Sequence, residues 1–164
     1  MRWWQDSKKR PPCCDKPGKT AICEMTSINE IQDEIIEEFG LFDQWMDKYE
    51  YIIDLGKKMP LIDAQYKHGD NLVPGCQSQV WLHAELKNGR VHFSADSDAI
   101  ITKGIIALLI RVLSGQPAGQ IVQADLRFID QIGLKEHLSP TRSNGLLNMV
   151  QKMKSTAGKL GALH

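Results

Sequence analysis

The stretch QVWLHAELKNGRVHFSA, residues 79–95, decides the fold. Two β-prone runs, 79–86 and 90–95, flank Asn88-Gly89. Asn-Gly readily takes the left-handed dihedrals of a tight hairpin turn, whose twist matches that of paired strands. The stretch therefore predicts an antiparallel hairpin. Upstream the pattern changes to helical. Ser27-x-x-Glu30 reads as a capping box, and Ile28, Ile31, Ile35 and Phe39 follow at three-to-four spacing until Gly40 stops the run. Asp43 offers a cap for a second helix with Trp45, Tyr49, Ile52 and Ile53 on one side, ending near Gly56. Glu30, Asp33, Glu34, Glu37 and Glu38 fall largely on an outer face. A connection rich in Pro and Gly covers residues 57–78, with a short third strand expected at 71–73.

Downstream, Asp96 or Ser97 is the expected cap of the most apolar segment, residues 99–113. A helix apolar on most faces belongs buried against the sheet. Gly115 and Pro117 end it, and short helices are expected at 118–124 and 128–132. A last helix starts from Ser139, with Pro140 in the first helical position and Leu146, Val150 and Met153 as its apolar stripe. The fold class is α+β, a two-layer domain with a small antiparallel β-sheet packed against helices.

Composition narrows the function classes. The chain has 164 residues, 42% apolar and 24% charged, which suits one domain with a real core and excludes wholesale disorder. Lys103 and Arg111 interrupt the 99–113 segment, which is also shorter than the ~20 residues of a membrane span. Twenty basic residues balance twenty acidic ones, so nothing points to nucleic acid. The balance is uneven along the chain: six basic against three acidic in 1–24, four against eleven in 25–70, ten against six in 71–164. Those charges either solvate helix faces or form a docking surface of complementary charge.

Cys13, Cys14 and Cys23 crowd the first 24 residues, leaving Cys76 as the one cysteine from Met25 onward. A domain with a single cysteine forms no internal disulfide, which fits a reducing cytoplasm. The leader's cysteine spacing matches no familiar zinc pattern. Pro11, Pro12, Pro17 and Gly18 break any helix there, and there is no signal-peptide core. The expected division is a disordered leader, 1–24, and one domain, 25–164, with Met25 reading as a domain start.

Candidate chemistry centres on Cys76, in Val73-Pro74-Gly75-Cys76-Gln77-Ser78-Gln79. Pro74 fixes one dihedral and Gly75 permits others, so the thiol is presented at a bend. It reads either as an accessible nucleophile or as a small buried hydrophobe. His68 and His83 are the nearest histidines in sequence, and only the fold decides whether either approaches. Asp98, in the first turn of the apolar helix, complements the helix dipole. Arg142 opposes the dipole in the first turn of the last helix, as a surface pair or as a grip on an acidic group. His83 and His92, on facing strands, are satisfied imidazoles or, with Cys76, metal ligands; no metal is expected. Phosphate-binding glycine loops, paired-carboxylate motifs and HExxH helices are absent from the sequence.

The block Gly75-Cys76-Gln77-Ser78-Gln79-Val80-Trp81 closely resembles the SufE family of cysteine desulfuration accessory proteins. Three further blocks resemble it in order: Tyr51-Ile52-Ile53-Asp54-Leu55-Gly56, Asp96-Ser97-Asp98-Ala99 through Lys103-Gly104, and His137-Leu138-Ser139-Pro140-Thr141-Arg142-Ser143-x-Gly145-Leu146. The likeness runs from Met25 to about Lys159 and implies a SufE/NifU-like fold. It implies that Cys76 takes persulfide sulfur from a SufS-type cysteine desulfurase, stimulates that enzyme and relays sulfur to the SufBCD scaffold for iron–sulfur cluster assembly. By the same likeness Asp98, Arg142, Gly75 and Gln77 belong to partner binding and loop control. The pyridoxal phosphate belongs to the desulfurase, this chain needs no cofactor, and a homodimer is admissible. A CsdE-type acceptor for a paralogous desulfurase is the alternative within the class. An IscU/NifU-like cluster scaffold shares the general fold but needs several ligands, typically three cysteines, where 25–164 has one. A thiol peroxidase or redox sensor would want a resolving cysteine that the domain lacks.

The leader has no apolar stripe to bury, so a chain beginning at Met25 should keep the melting temperature and activity of the full chain. Thermal denaturation and desulfurase stimulation check this; a large loss of either would give Cys13, Cys14 and Cys23 a role.

Overall fold

The structure, a computed structural model, describes residues 27–59, 62–76 and 78–162. The leader 1–24 and Gln77 lie outside the described residues.

The first helix, α1 (Ile28–Gly40), starts on the capping box expected from its sequence. Ser27 Oγ accepts from the Glu30 N–H at 3.2 Å, and Glu30 Oε2 accepts from the Ser27 N–H at 2.8 Å. Its buried face is Ile28, Gln32, Ile35 and Phe39. Gln32 is the unexpected member. Its amide donates to the Asp125 carbonyl at 3.0 Å and accepts from the Phe128 N–H at 3.1 Å, so burial leaves neither end unpaired. The second helix, α2 (Trp45–Lys58), follows Gln44, which makes no side-chain cap bond. Asp43 is therefore not the cap, because the helix begins one residue too late for its carboxylate. The helix buries Tyr51, Ile52, Leu55 and Gly56, leaving Trp45 and Tyr49 half-buried.

Two single 3₁₀ turns (Ala64–Tyr66 and Gly69–Asn71) lead to the hairpin of β1 (Val80–Lys87) and β2 (Arg90–Ser97). Lys87 pairs with Arg90 across Asn88 (φ 53°) and Gly89 (φ 76°), the positive dihedrals the turn was expected to need. Alternation then points Val80, Leu82, Val91, Phe93 and Ala95 into the core. Residues 71–73 do not make a strand; Leu72 forms a single bridge to Trp81. The third strand is β3 (Gln116–Pro117), antiparallel to β2, giving the order β1-β2-β3. Pro117 can sit there because an edge residue owes no N–H to a further neighbour.

Between hairpin and helices lies α3 (Ile100–Leu113), buried on nearly every face. Asp96 and Ser97 do not cap it, since both belong to β2 and Ala99 occupies the cap position without a side-chain bond. The buried Asp96 carboxylate instead binds Lys67 at 2.5 Å and Lys103 at 3.1 Å. Burial pushes the Asp96 carboxyl up, but Lys67, the Ser97 N–H and Lys103 outweigh it and hold it below its ordinary range. Arg111, the other charge in the apolar segment, makes a two-pronged bond to Glu38 at 2.7 Å on both arms, and the Tyr51 hydroxyl donates to the same carboxylate.

The chain closes with α4 (Ala118–Gln123), α5 (Phe128–Gln131), the unforeseen single turn α6 (Leu134–His137) and α7 (Pro140–Ala162). Helix α7 packs on α4, β1 and α3. Among the described residues no helix is long and apolar enough to cross a membrane.

Helices α2 and α3 approach closely at two glycines. A Cβ on Gly56 would stand 2.6 Å from the Gly104 backbone nitrogen, and one on Gly104 would strike the Ile52 carbonyl. Backbone cannot rotate aside, so Gly104→Ala should lose about 3 kcal/mol in urea unfolding. Gly40→Ala, with nothing within 4 Å of the new methyl, should stay within about 0.5 kcal/mol.

Candidate functional site

A six-residue loop, 74–79, is tied at its base. The Val73 N–H donates to the Val80 carbonyl at 2.8 Å, one step before the Leu72–Trp81 bridge. At the exit, Asp98 Oδ1 accepts from the Gln79 N–H at 3.0 Å, while the Gln79 carbonyl receives the Asp98 N–H at 3.3 Å and the Ser97 hydroxyl at 2.9 Å. Asp98 thus precedes α3 rather than standing in its first turn, and pins the loop's last peptide. At the loop's start, Gly75 has φ +75°, the sign a type II turn demands after Pro74. A side chain there would also run into the Asn148 amide on α7.

This turn lays Cys76 against α7. Its thiol donates to the Gly145 carbonyl at 3.6 Å, and a Cβ on Gly145 would stand 3.5 Å from Sγ. Cys76 shares a recess of about 10 Å³, room for roughly one water-sized group, with Ser78, with Thr102 and Ile105 of α3, and with Thr141, Arg142, Gly145 and Met149 of α7. Residues 141, 145 and 149 recur every four, so one face of α7 forms the wall. Burial pushes the Cys76 thiol up from its ordinary value, with no opposing cation contributing. The resting group is therefore a protonated, half-buried thiol.

The structure brings Cys76, Gly75 and Arg142 together and sets Asp98 at the loop's exit, while Gln77 lies outside the described residues. Arg142 lies along the recess, and among the described residues no carboxylate pairs with its guanidinium. The histidines are engaged elsewhere: His83 stacks on Tyr66 and meets Glu85 at 3.3 Å, His92 faces Glu85 across the hairpin, and His68 is exposed. Among the described residues no three His, Cys, Asp or Glu side chains gather as a metal site. Sequence reasoning missed Thr102, Ile105, Asn148 and Met149, and quoted Gly145 without giving it a role. Thr102 alone left a signal, as the one uncharged polar side chain in residues 99–113.

A model of the family described as "SufE: Fe-S metabolism associated domain" matches residues 33–157. An uncharacterized SufE-like protein of Rhizobium meliloti (strain 1021) is 41% identical over 144 residues, covering 84% of this chain and all of that one. A SufE-like protein of Arabidopsis thaliana, named as chloroplastic/mitochondrial, is 37% identical over 151 residues, 90% of this chain and 41% of that longer one. The solution structure of a hypothetical protein from Thermus thermophilus superposes with a TM-score of 0.67 at 20% identity, over 79% of this chain and 95% of that one. The last is a likeness of fold.

The chain belongs to the SufE family. Membership gives it a sulfur-acceptor role in iron–sulfur metabolism and a cysteine desulfurase as partner. In this SufE-family chain the cysteine of the Gly75–Trp81 block lies half-buried against one face of α7.

A raised thiol pKa has two consequences. Iodoacetamide should alkylate Cys76 with a midpoint above the ~8.5 of a free cysteine. Because the unfolded thiol ionises first, the stability that Cys76 contributes is complete below that value and is lost as pH rises toward the folded one. Stability measured at pH 8–10 should therefore fall more steeply in the wild type than in Cys76→Ser. Asp98→Ala, which frees the Gln79 N–H, should speed alkylation several-fold; an unchanged rate would show that Asp98 does not hold the loop.

Proposed function

We propose that Cys76 accepts sulfane sulfur from the persulfide of a SufS-type cysteine desulfurase, stimulates that enzyme by clearing its sulfur, and relays the sulfur to the SufBCD scaffold. The observation that carries this reading is the scale of the recess. Pockets for small-molecule substrates run to roughly 300–1,000 Å³. The space beside Cys76, about 10 Å³, suits one added atom and excludes free cysteine or a pyridoxal ring. Sulfur must then arrive already activated on another protein. The pyridoxal phosphate that releases it belongs to the desulfurase, and no cofactor is assigned to this chain.

The step is a thiol exchange with a persulfide as electrophile. The Cys76 thiolate attacks the outer sulfur of the donor, a new S–S bond forms on Cys76, and the donor's S–S bond breaks. The desulfurase cysteine leaves as a thiolate and takes up the proton that Cys76 lost, with no net oxidation. Arg142, along the recess, and the acidic face of α1 supply charge for docking. The covered site protects a species open to oxidation, and the domain's single cysteine suits a reducing cytoplasm.

Cys76→Ser keeps the side chain's size and replaces the nucleophile with a hydroxyl that stays protonated. Its stability should change by no more than about 1–2 kcal/mol, binding to the desulfurase should persist, and stimulation should vanish. Mass spectrometry after turnover should find added sulfur on Cys76 in the wild type and in a variant carrying Cys13→Ser, Cys14→Ser and Cys23→Ser. Sulfur found only on the leader cysteines would refute the proposal.

A further inference from the structure

Thr102 stands in the first turn of α3, is 8% exposed and lines the recess that holds Cys76. Threonine in a helix commonly returns its hydroxyl to the carbonyl four residues back, as Thr156 does to Lys152 at 2.7 Å. Thr102 does not. Among the described residues its hydroxyl has no hydrogen-bond partner, although a buried, unpaired hydroxyl destabilises the resting protein. Thr102 therefore holds an unused donor where one atom's worth of space is kept open.

We propose that the Thr102 hydroxyl donates a hydrogen bond to the terminal sulfur of the Cys76 persulfide and so stabilises the loaded state. This rests on Cys76 being a sulfur acceptor. In the resting state Cys76 carries a proton and needs an acceptor, which the Gly145 carbonyl supplies at 3.6 Å. Once sulfur is attached, Sγ is bonded to the second sulfur and has no proton to give. The Gly145 carbonyl then faces only lone pairs. The charge moves to the terminal sulfur, because a persulfide is more acidic than its parent thiol. An anion in a desolvated recess needs donors, and Thr102 is the buried one. The recess thus serves each state with a different group, a carbonyl for the thiol and a hydroxyl for the persulfide. Arg142 is the one charged side chain among the residues lining it.

The test loads Cys76 with inorganic polysulfide and follows iodoacetamide trapping of thiol and persulfide by mass spectrometry across pH. In Thr102→Val the persulfide's trapping midpoint should rise by about one unit, a tenfold smaller anion fraction at fixed pH. The midpoint of the unloaded thiol should not move, a split that a general loosening of the loop would not produce. Thr102→Ser should restore the wild-type profile, and Thr102→Val should melt no lower than the wild type because it removes an unpaired polar group. Identical persulfide profiles in Thr102→Val and wild type would overturn the proposal, as would a lowered melting temperature or polysulfide that fails to load the wild type. A wild type that loads from polysulfide but never from a desulfurase would instead defeat the acceptor reading and leave the Thr102 bond standing.

Discussion

A helix that is apolar on nearly every side must be covered on every side, and α3 imposes that requirement on the whole chain. Its buried residues, from Ile101 to Leu113, leave little of it for water. The hairpin covers one flank, α2 a second through the glycine contact at Gly56 and Gly104, and α7 a third. Its two charges are consequences of the same burial. Arg111, near its end, is answered by Glu38 and Tyr51; Lys103, near its start, is answered by Asp96. Breaking either pair would strand a charge or a carboxylate in poor solvent, which costs far more than a surface pair is worth. The recess at Cys76 lies where α3 and α7 meet the loop before β1, with α3 as floor, α7 as wall and the loop closing it.

Local chemistry made much of this legible in the sequence. Asn88-Gly89 sets the turn and hence the register of every pair from Lys87–Arg90 back to Val80–Ser97. The Ser27–Glu30 box and Pro140 mark helix starts because capping is settled within one turn of chain. Where cues compete, tertiary pairing won. Asp96 and Ser97 look like caps, but the hairpin extends through them; Asp43 looks like one, but α2 starts after Gln44. Two-residue β3 and four-residue α6 are too short to leave a periodicity. The site divides in the same way. Cys76 on its Pro-Gly bend is a local feature and could be read. Its partners in space are not: Gly145 lies 69 residues away, and Thr102 hides in a helix whose pattern says only that it is buried.

Protection and reactivity oppose each other at Cys76, and the contacts around it divide that conflict between the base of its loop and the tip. The base is held by well-formed bonds, backbone to backbone from Val73 to Val80 and backbone to carboxylate from Gln79 to Asp98. The tip is held by a long S–H···O contact to Gly145 and by the packing of Gly75 on Asn148. Sulfur is a weak hydrogen-bond donor, so the tip detaches at far less cost than the base. A partner that offers equivalent contacts to the tip can therefore lift the thiol away from α7 without unpairing the hairpin. Openings of this size belong to the low end of a protein's local stability. Lifting also removes the desolvation that keeps the thiol protonated, so exposure and ionisation come together in one movement. The free protein keeps the thiol half-buried and protonated, and on the proposed reading it becomes a thiolate where a sulfur donor docks.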